Sequence, residues 1–223
     1  MNFFGVPAPF ENSFIANTGE EMRSIINHAR GLGAIISVNH PLCPICPYKW
    51  EDEEAFDLME VWNGPMRPSN LKAIEWWTSL LKKGRQIPIV GGSDFHKPGQ
   101  PARAGYPVTA VYSQSRSAED ILSAISRGSC FITESINRPR LSLSYGDCVM
   151  GQTAEYDETV PLKICSDADK LILVTDKYEK EIRPVCGKAT VKTGKVKFAY
   201  IKVCKGFGKL KRVCAISNPI YFR

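Results

Sequence analysis

The stretch Ala34-Ile-Ile-Ser-Val-Asn-His-Pro41 decides how the chain is read. Its first five residues form a short, nearly continuous apolar run, as expected of a strand covered on both faces. Asn39-His40-Pro41 then ends the run on a turn that carries an imidazole. Just upstream, Thr18-Gly-Glu-Glu21 is a capping box. Met22, Ile25, Ile26 and Ala29 follow at helical spacing, with Gly31 or Gly33 as the stop. Helix then buried strand is a unit that recurs downstream. Phe56 to Trp62 reads as a strand ending at Asn63-Gly64. Ser69 can cap a helix through Leu71, Ile74, Trp77, Leu80 and Leu81 to Gly84. Ile87 to Val90 is a strand running into Gly91-Gly-Ser-Asp-Phe-His96, and Val108 to Tyr112 is another. Ser117 caps a third helix that Gly128 closes, before a short strand from Phe131 to Thr133. The alternation predicts a mainly parallel α/β sheet or barrel over residues 1–136.

After Asn137 no helical period survives. Leu141–Tyr145, Val160–Ile164, Leu171–Val174, Lys195–Val203 and Arg212–Tyr221 read as strands between turn residues, so residues 137–223 are expected to form a small all-β, sandwich-like domain. Charge divides at the same place. Residues 1–136 hold 12 Lys+Arg against 14 Asp+Glu, and residues 137–223 hold 17 against 9. The lysines from Lys188 to Arg212 lie on expected strands without clustered aromatics, which favours a solvated face over nucleic-acid binding. No run approaches a membrane-spanning length, and Met1 to Phe10 lack the basic start of a signal peptide. Eight cysteines in a chain of this length suggest free, mostly buried thiols and a reducing, cytoplasmic setting rather than a disulfide framework. Cys43 and Cys46 make a C-x-x-C, but no second pair follows at zinc-ribbon spacing, so it is a weak signal for structural zinc.

Chemistry concentrates on two of the three histidines. His28 falls within the first helix and reads as structural. His40 and His96 each follow a buried strand, and in parallel α/β barrels strand C-terminal ends face the active site. Asp94-Phe-His96 is a D-x-H. Extended backbone would place the carboxylate and imidazole on one side, and Gly91-Gly92 permit close backbone approach. The bland alternative is a capping aspartate beside a loop histidine. Neutral imidazole with carboxylate suits zinc, manganese or iron. Glu60 and Asn63 are candidates for orienting a ligand histidine, against an ordinary half-buried carboxylate. Lys97 and Arg103 flank the D-x-H and could contact an anionic substrate, although a solvated loop accounts for them as well. Trp50, Trp62, Trp76 and Trp77 could line a pocket, while the last two fit core packing better.

Ser37-Val-Asn-His-Pro41, the Cys-Pro-rich loop from Cys43 to Trp50, Glu60-Val-Trp-Asn-Gly64, Gly92-Ser-Asp-Phe-His96 and Ser217-Asn-Pro-Ile-Tyr221 together resemble the PHP (polymerase and histidinol phosphatase) superfamily, in its carbaryl-hydrolase-like branch. The resemblance implies a distorted β/α, TIM-like barrel with up to three divalent metals on its strand ends and His40, Asp94 and His96 as ligands to different metals of one cluster. It further implies hydrolysis of phosphoester, or carboxyl or carbamate ester, bonds of a small molecule by metal-activated water. The front-half motifs of that family, an H-x-H and a D-H, are absent from this sequence. A β/α barrel takes about 250 residues, so on this reading roughly 100 residues of barrel are missing and the chain is N-terminally truncated. Impaired metal binding, and self-association or recruitment of the missing half, are then expected. The alternative is a non-catalytic binding or structural module derived from such a hydrolase.

Overall fold

A computed structural model describes residues 1–6, 15–50, 52–137, 139–206 and 212–223. Its first section contains β1 (Asn2–Phe4), α1 (Gly19–Gly31), β2 (Ile35–Val38), β3 (Leu58–Asn63), α2 (Pro68–Lys82), β4 (Ile89–Gly92), β5 (Val108–Val111), α3 (Ala118–Ser126) and β6 (Cys130–Thr133). It continues as strands among the described residues: β7 (Leu141–Tyr145), β8 (Cys148–Val149), β9 (Thr153–Ala154), β10 (Leu162–Ser166), β11 (Leu171–Thr175) and β12 (Glu179–Ile182). After these come β13 (Lys188–Val191), β14 (Phe198–Lys205), β15 (Arg212–Ser217) and β16 (Ile220–Phe222).

The local signals behave as their chemistry dictates. Thr18 Oγ accepts the Glu21 N–H at 3.1 Å, and the Glu21 carboxylate accepts the Thr18 N–H at 3.2 Å. Ser117 Oγ accepts the Asp120 N–H at 3.1 Å and starts α3. Ser69 does not cap α2. The cap lies two residues earlier, at Arg67, with Pro68 in the first turn, where a missing N–H costs nothing.

Strands pair in three sheets. β1-β2-β3-β4 form one, with β2, β3 and β4 parallel and β1 antiparallel to β2. A second runs β13-β10-β7-β8. The third runs β12-β11-β14-β15-β6-β5, with β16 and β9 joined to it. None is closed, so the expected barrel, even a partial one, is not seen as such. The parallel ladder stops at β4. β5 and β6 pair antiparallel with each other, and β6 joins β15 from the other end of the chain. The large sheet thereby crosses the division expected between residues 136 and 137.

That sheet is covered on both sides, which explains its unbroken apolar strands. Ile172, Val174, Phe198 and Tyr200 face α2 and the parallel sheet, while Leu171, Leu173, Ala199 and Ile201 face the sheet containing β7 and β10. Alternation along each strand divides the side chains between two cores. The indole of Trp77 packs on Tyr200, ring centroids 4.8 Å apart, and donates its N–H to Ile87 O at 2.8 Å. Leu143 and Ile164 share one core with Leu173 and Ile201 of the large sheet, and that large sheet also roofs the first section. All eight cysteines are free thiols, and only Cys130 and Cys214 are buried, which overturns the expectation of mostly buried thiols. Among the described residues no helix is long and apolar enough to cross a membrane.

β4 meets β5 and β6 without a backbone ladder. Asn218, fully buried after β15, bridges the gap. Its carboxamide oxygen accepts the Ile89 N–H at 2.8 Å, and its NH2 donates to Ile89 O at 3.1 Å and Cys130 O at 2.9 Å. Thr109 adds a second link, its hydroxyl accepting from Gly91 N at 2.9 Å and donating to Gly91 O at 2.8 Å. A Cβ on Gly91 would stand 2.6 Å from Ile132 Cγ2 and 2.9 Å from Trp62 O, so glycine is required by the close approach.

Candidate metal centre

Because β2, β3 and β4 run parallel, the residues just past their ends gather at one edge of the sheet. His40 follows β2, Glu60 lies within β3 and Asn63 ends it, and Asp94 follows β4. His40 and Asp94 both hold positive φ, 28° and 54°. Positive φ is uncommon outside glycine, though aspartate and histidine enter that region more often than other side chains, and such conformations collect at functional sites.

Glu60 is half-buried at the centre of this edge. Its carboxylate accepts the His40 backbone N–H at 2.8 Å and the Asn63 carboxamide NH2 at 3.3 Å. Glu60 therefore fixes the strained His40 turn through the backbone, not through the imidazole as the sequence suggested. Gly92 leaves room for it, since a Cβ there would lie 3.2 Å from Glu60 Oε1. Burial pushes the Glu60 carboxyl above the usual carboxylate range, and the Asp94 charge pushes the same way. The His40 N–H, the Asn63 amide and the His40 charge oppose it. Asn70, buried at the start of α2, holds the loop after β3 by donating to Asn63 O at 3.1 Å and Pro65 O at 3.2 Å. Nothing in the local sequence marked it out.

His96 is exposed, and its Nδ1 lies 2.9 Å from Asp94 O and 3.8 Å from Asp94 Oδ1. The pair is adjacent, as the D-x-H spacing suggested, but it folds back on itself. The His40 ring turns elsewhere: Nδ1 is 3.7 Å from Cys46 Sγ, and Cys46 Sγ is 3.5 Å from Cys43 Sγ. Among the described residues, His40, Cys43 and Cys46 form the group whose ligand atoms all lie within 4.8 Å of one another, and Asp94 and His96 stand outside it. The Asp94 carboxylate is still near enough to help raise the Cys46 thiol, whose largest push comes from its hydrogen bond with Cys43. The donor chemistry at this edge, two thiols, one imidazole and the carboxylates, fits a divalent ion. The C-x-x-C, a weak signal by spacing alone, is brought to the edge by the loop after His40.

Arg103 is exposed and lines a cleft of about 560 Å³ with Trp62, Tyr106, Glu134 and Arg212. Glu134 is already paired there, its carboxylate 3.1 Å from the Arg212 guanidinium. Lys97 is exposed on the same loop but is outside the lining of this cleft. His28 lies on the exposed face of α1, in a different element from these residues.

The chain is similar to the solved structure of a two-domain protein from Bacteroides vulgatus described as containing a predicted PHP-like metal-dependent phosphoesterase. Identity is 17%, the TM-score is 0.42, and the match covers 91% of this chain and 67% of that one. A match at this identity and TM-score assigns the chain to no family or branch. No family model and no curated protein matches the chain.

Proposed function

We propose that the ends of β2, β3 and β4 form a divalent-metal hydrolase centre of the PHP type. Its substrates would be phosphoester, or carboxyl or carbamate ester, bonds of a small molecule, and turnover by this chain alone would be slow. The observation that supports the reading most is the gathering of His40, Glu60 and Asp94 at one sheet edge, with positive φ at both His40 and Asp94. His40, Asp94 and His96 would hold zinc, manganese or iron. When bound, such an ion supplies an activated water and polarises the bond under attack. Glu60 and Asn63 would keep the His40 turn in place. Arg103 would hold the negative charge of the substrate in the cleft where Arg212 is already paired with Glu134, and Lys97 would add to the positive field. Slow turnover is the expectation because Asp94 and His96 stand outside the compact donor group. That same fact favours the second reading, a non-catalytic metal-binding module.

Manganese, which prefers oxygen and imidazole donors to thiolate, is the selective probe. Asp94→Ala is expected to weaken Mn²⁺ binding to the full chain at least about tenfold. It should also remove whatever Mn²⁺-dependent hydrolysis of aryl phosphates or aryl esters the parent chain shows. Calorimetric titration beside a turnover assay measures both. Binding indifferent to Asp94→Ala would overturn the assignment, and Asp94-dependent binding without turnover would leave the binding module.

The proposal extends to assembly. Among the described residues β1 and β5 end their sheets, and such edges invite strand pairing. The chain is expected to self-associate through them, or to bind a complementary barrel segment. Sedimentation at micromolar concentration should find species larger than the monomer. A strictly monomeric chain would remove self-association from the reading.

A further inference from the structure

We propose that His40, Cys43 and Cys46 form a zinc site, a Cys₂His set with its fourth position open to water, which draws the His40 ring away from the Asp94 centre. The inference does not require the hydrolase reading, since a thiolate site binds metal whether or not Asp94 supports catalysis.

Three observations carry it. The first is spacing. A tetrahedral ion with metal–sulfur bonds of about 2.3 Å and a metal–nitrogen bond of about 2.0–2.1 Å separates two sulfurs by about 3.8 Å and sulfur from nitrogen by about 3.6 Å. The sulfurs of Cys43 and Cys46 lie 3.5 Å apart, and Cys46 Sγ lies 3.7 Å from His40 Nδ1. The side chains thus stand near the edges of a coordination tetrahedron, with small adjustments left to make.

The second is the loop. In His40-Pro-Leu-Cys43-Pro-Ile-Cys46-Pro47 each donor is followed by a proline, so the donors recur every third residue on a stiffened backbone. Proline restricts the unfolded loop more than the folded one, which lowers the cost of holding this conformation. The turn is closed by the Cys43 N–H donating to His40 O at 2.8 Å, and the wider loop by the Tyr48 N–H donating to Pro41 O at 2.9 Å.

The third is directional. The backbone N–H groups of Ile45 and Cys46 act on the Cys43 sulfur in the direction that favours its thiolate. Donors two and three residues beyond the first cysteine suit a thiolate, because they place positive dipole ends where negative charge must reside. Arg67 acts on the same sulfur with its positive charge. Cys46, by contrast, is exposed at the rim, which leaves one side of the group facing solvent.

Thiolate ligands select zinc over the harder ions that suit carboxylate and water, so the loop site and the Asp94 site should prefer different metals. The test uses the full chain, stripped with chelator and kept reduced with a phosphine. One equivalent of Co²⁺ should produce the near-ultraviolet thiolate-to-cobalt charge-transfer band and the visible bands of tetrahedral cobalt, and Zn²⁺ should bleach both. Cys43→Ser and Cys46→Ser should each abolish the band. Cys165→Ser, at an exposed thiol on β10, should leave it unchanged, and circular dichroism of every variant confirms that the fold is kept. Asp94→Ala should retain the charge-transfer band even where it has lost Mn²⁺ binding, so this proposal and the hydrolase reading fail independently. Absence of the band in the reduced parent chain, or its survival in both Cys43→Ser and Cys46→Ser, would overturn the site.

Discussion

Asn218→Ala is expected to destabilise the fold by about 3–5 kcal/mol, the largest effect of any single side chain at the junction of the sheets. The reason is accounting of hydrogen bonds at a place with no ladder. On its open side, β4 presents the Ile89 N–H and C=O to the interior, and the Asn218 carboxamide satisfies both while also binding Cys130 O. Alanine leaves the Ile89 N–H buried and unmatched, at a cost of about 1–3 kcal/mol, and leaves Ile89 O only the Cys130 thiol at 3.7 Å and Cys130 O only the backbone N–H of residue 218 at 3.4 Å. Asn218→Asp should be at least as damaging, because it keeps the acceptor for Ile89 N but turns an oxygen toward two carbonyls. Urea unfolding of the three proteins measures the differences. A loss below about 1 kcal/mol for Asn218→Ala would mean that the junction relaxes and the clamp is not needed.

Gly91→Ala is expected to cost about 2 kcal/mol. The added methyl group would overlap Ile132 Cγ2 at 2.6 Å and crowd the Trp62 carbonyl at 2.9 Å. Overpacking of this kind typically costs about 1–3 kcal/mol, against about 0.4–1 kcal/mol recovered from the less flexible unfolded chain. Ile132 branches at Cβ and is buried, so it cannot swing away freely. A double-mutant cycle isolates the clash: Gly91→Ala should cost less in an Ile132→Ala background, with non-additivity of about 1 kcal/mol. Strict additivity would place the penalty elsewhere, on Trp62 or on the backbone. The change should also disturb the candidate centre, since β4 carries the chain from Gly91 into Asp94. Mn²⁺ binding is therefore expected to weaken along with stability.

The sequence by itself determined the elements whose signals are local. The capping box at Thr18, the cap at Ser117 and the buried runs of β2, β4 and β11 each follow from residues a few positions apart, and the structure places them within a residue or two. Strand ends were legible as well, so His40, Asp94 and His96 could be expected at one mouth of the sheet, with Glu60 and Asn63 as partners of a ligand histidine, before any fold was known. What only the tertiary structure decided is how the strands pair and where the side chains turn. An apolar run buried on both faces carries no mark of its partner, and so β5 and β6, read as continuing a parallel barrel, instead pair antiparallel and join β15. Glu60 was legible as a carboxylate near a histidine, but whether it met the ring or the backbone depended on the positive φ at His40, which no spacing rule encodes. The same turn directs the His40 ring toward Cys46 rather than toward Asp94, so the C-x-x-C acquires its third donor from a strand end. Asn218 and Asn70 were invisible for a related reason: a buried carboxamide gains its role from backbone groups distant in sequence, and only the folded chain brings those groups within reach.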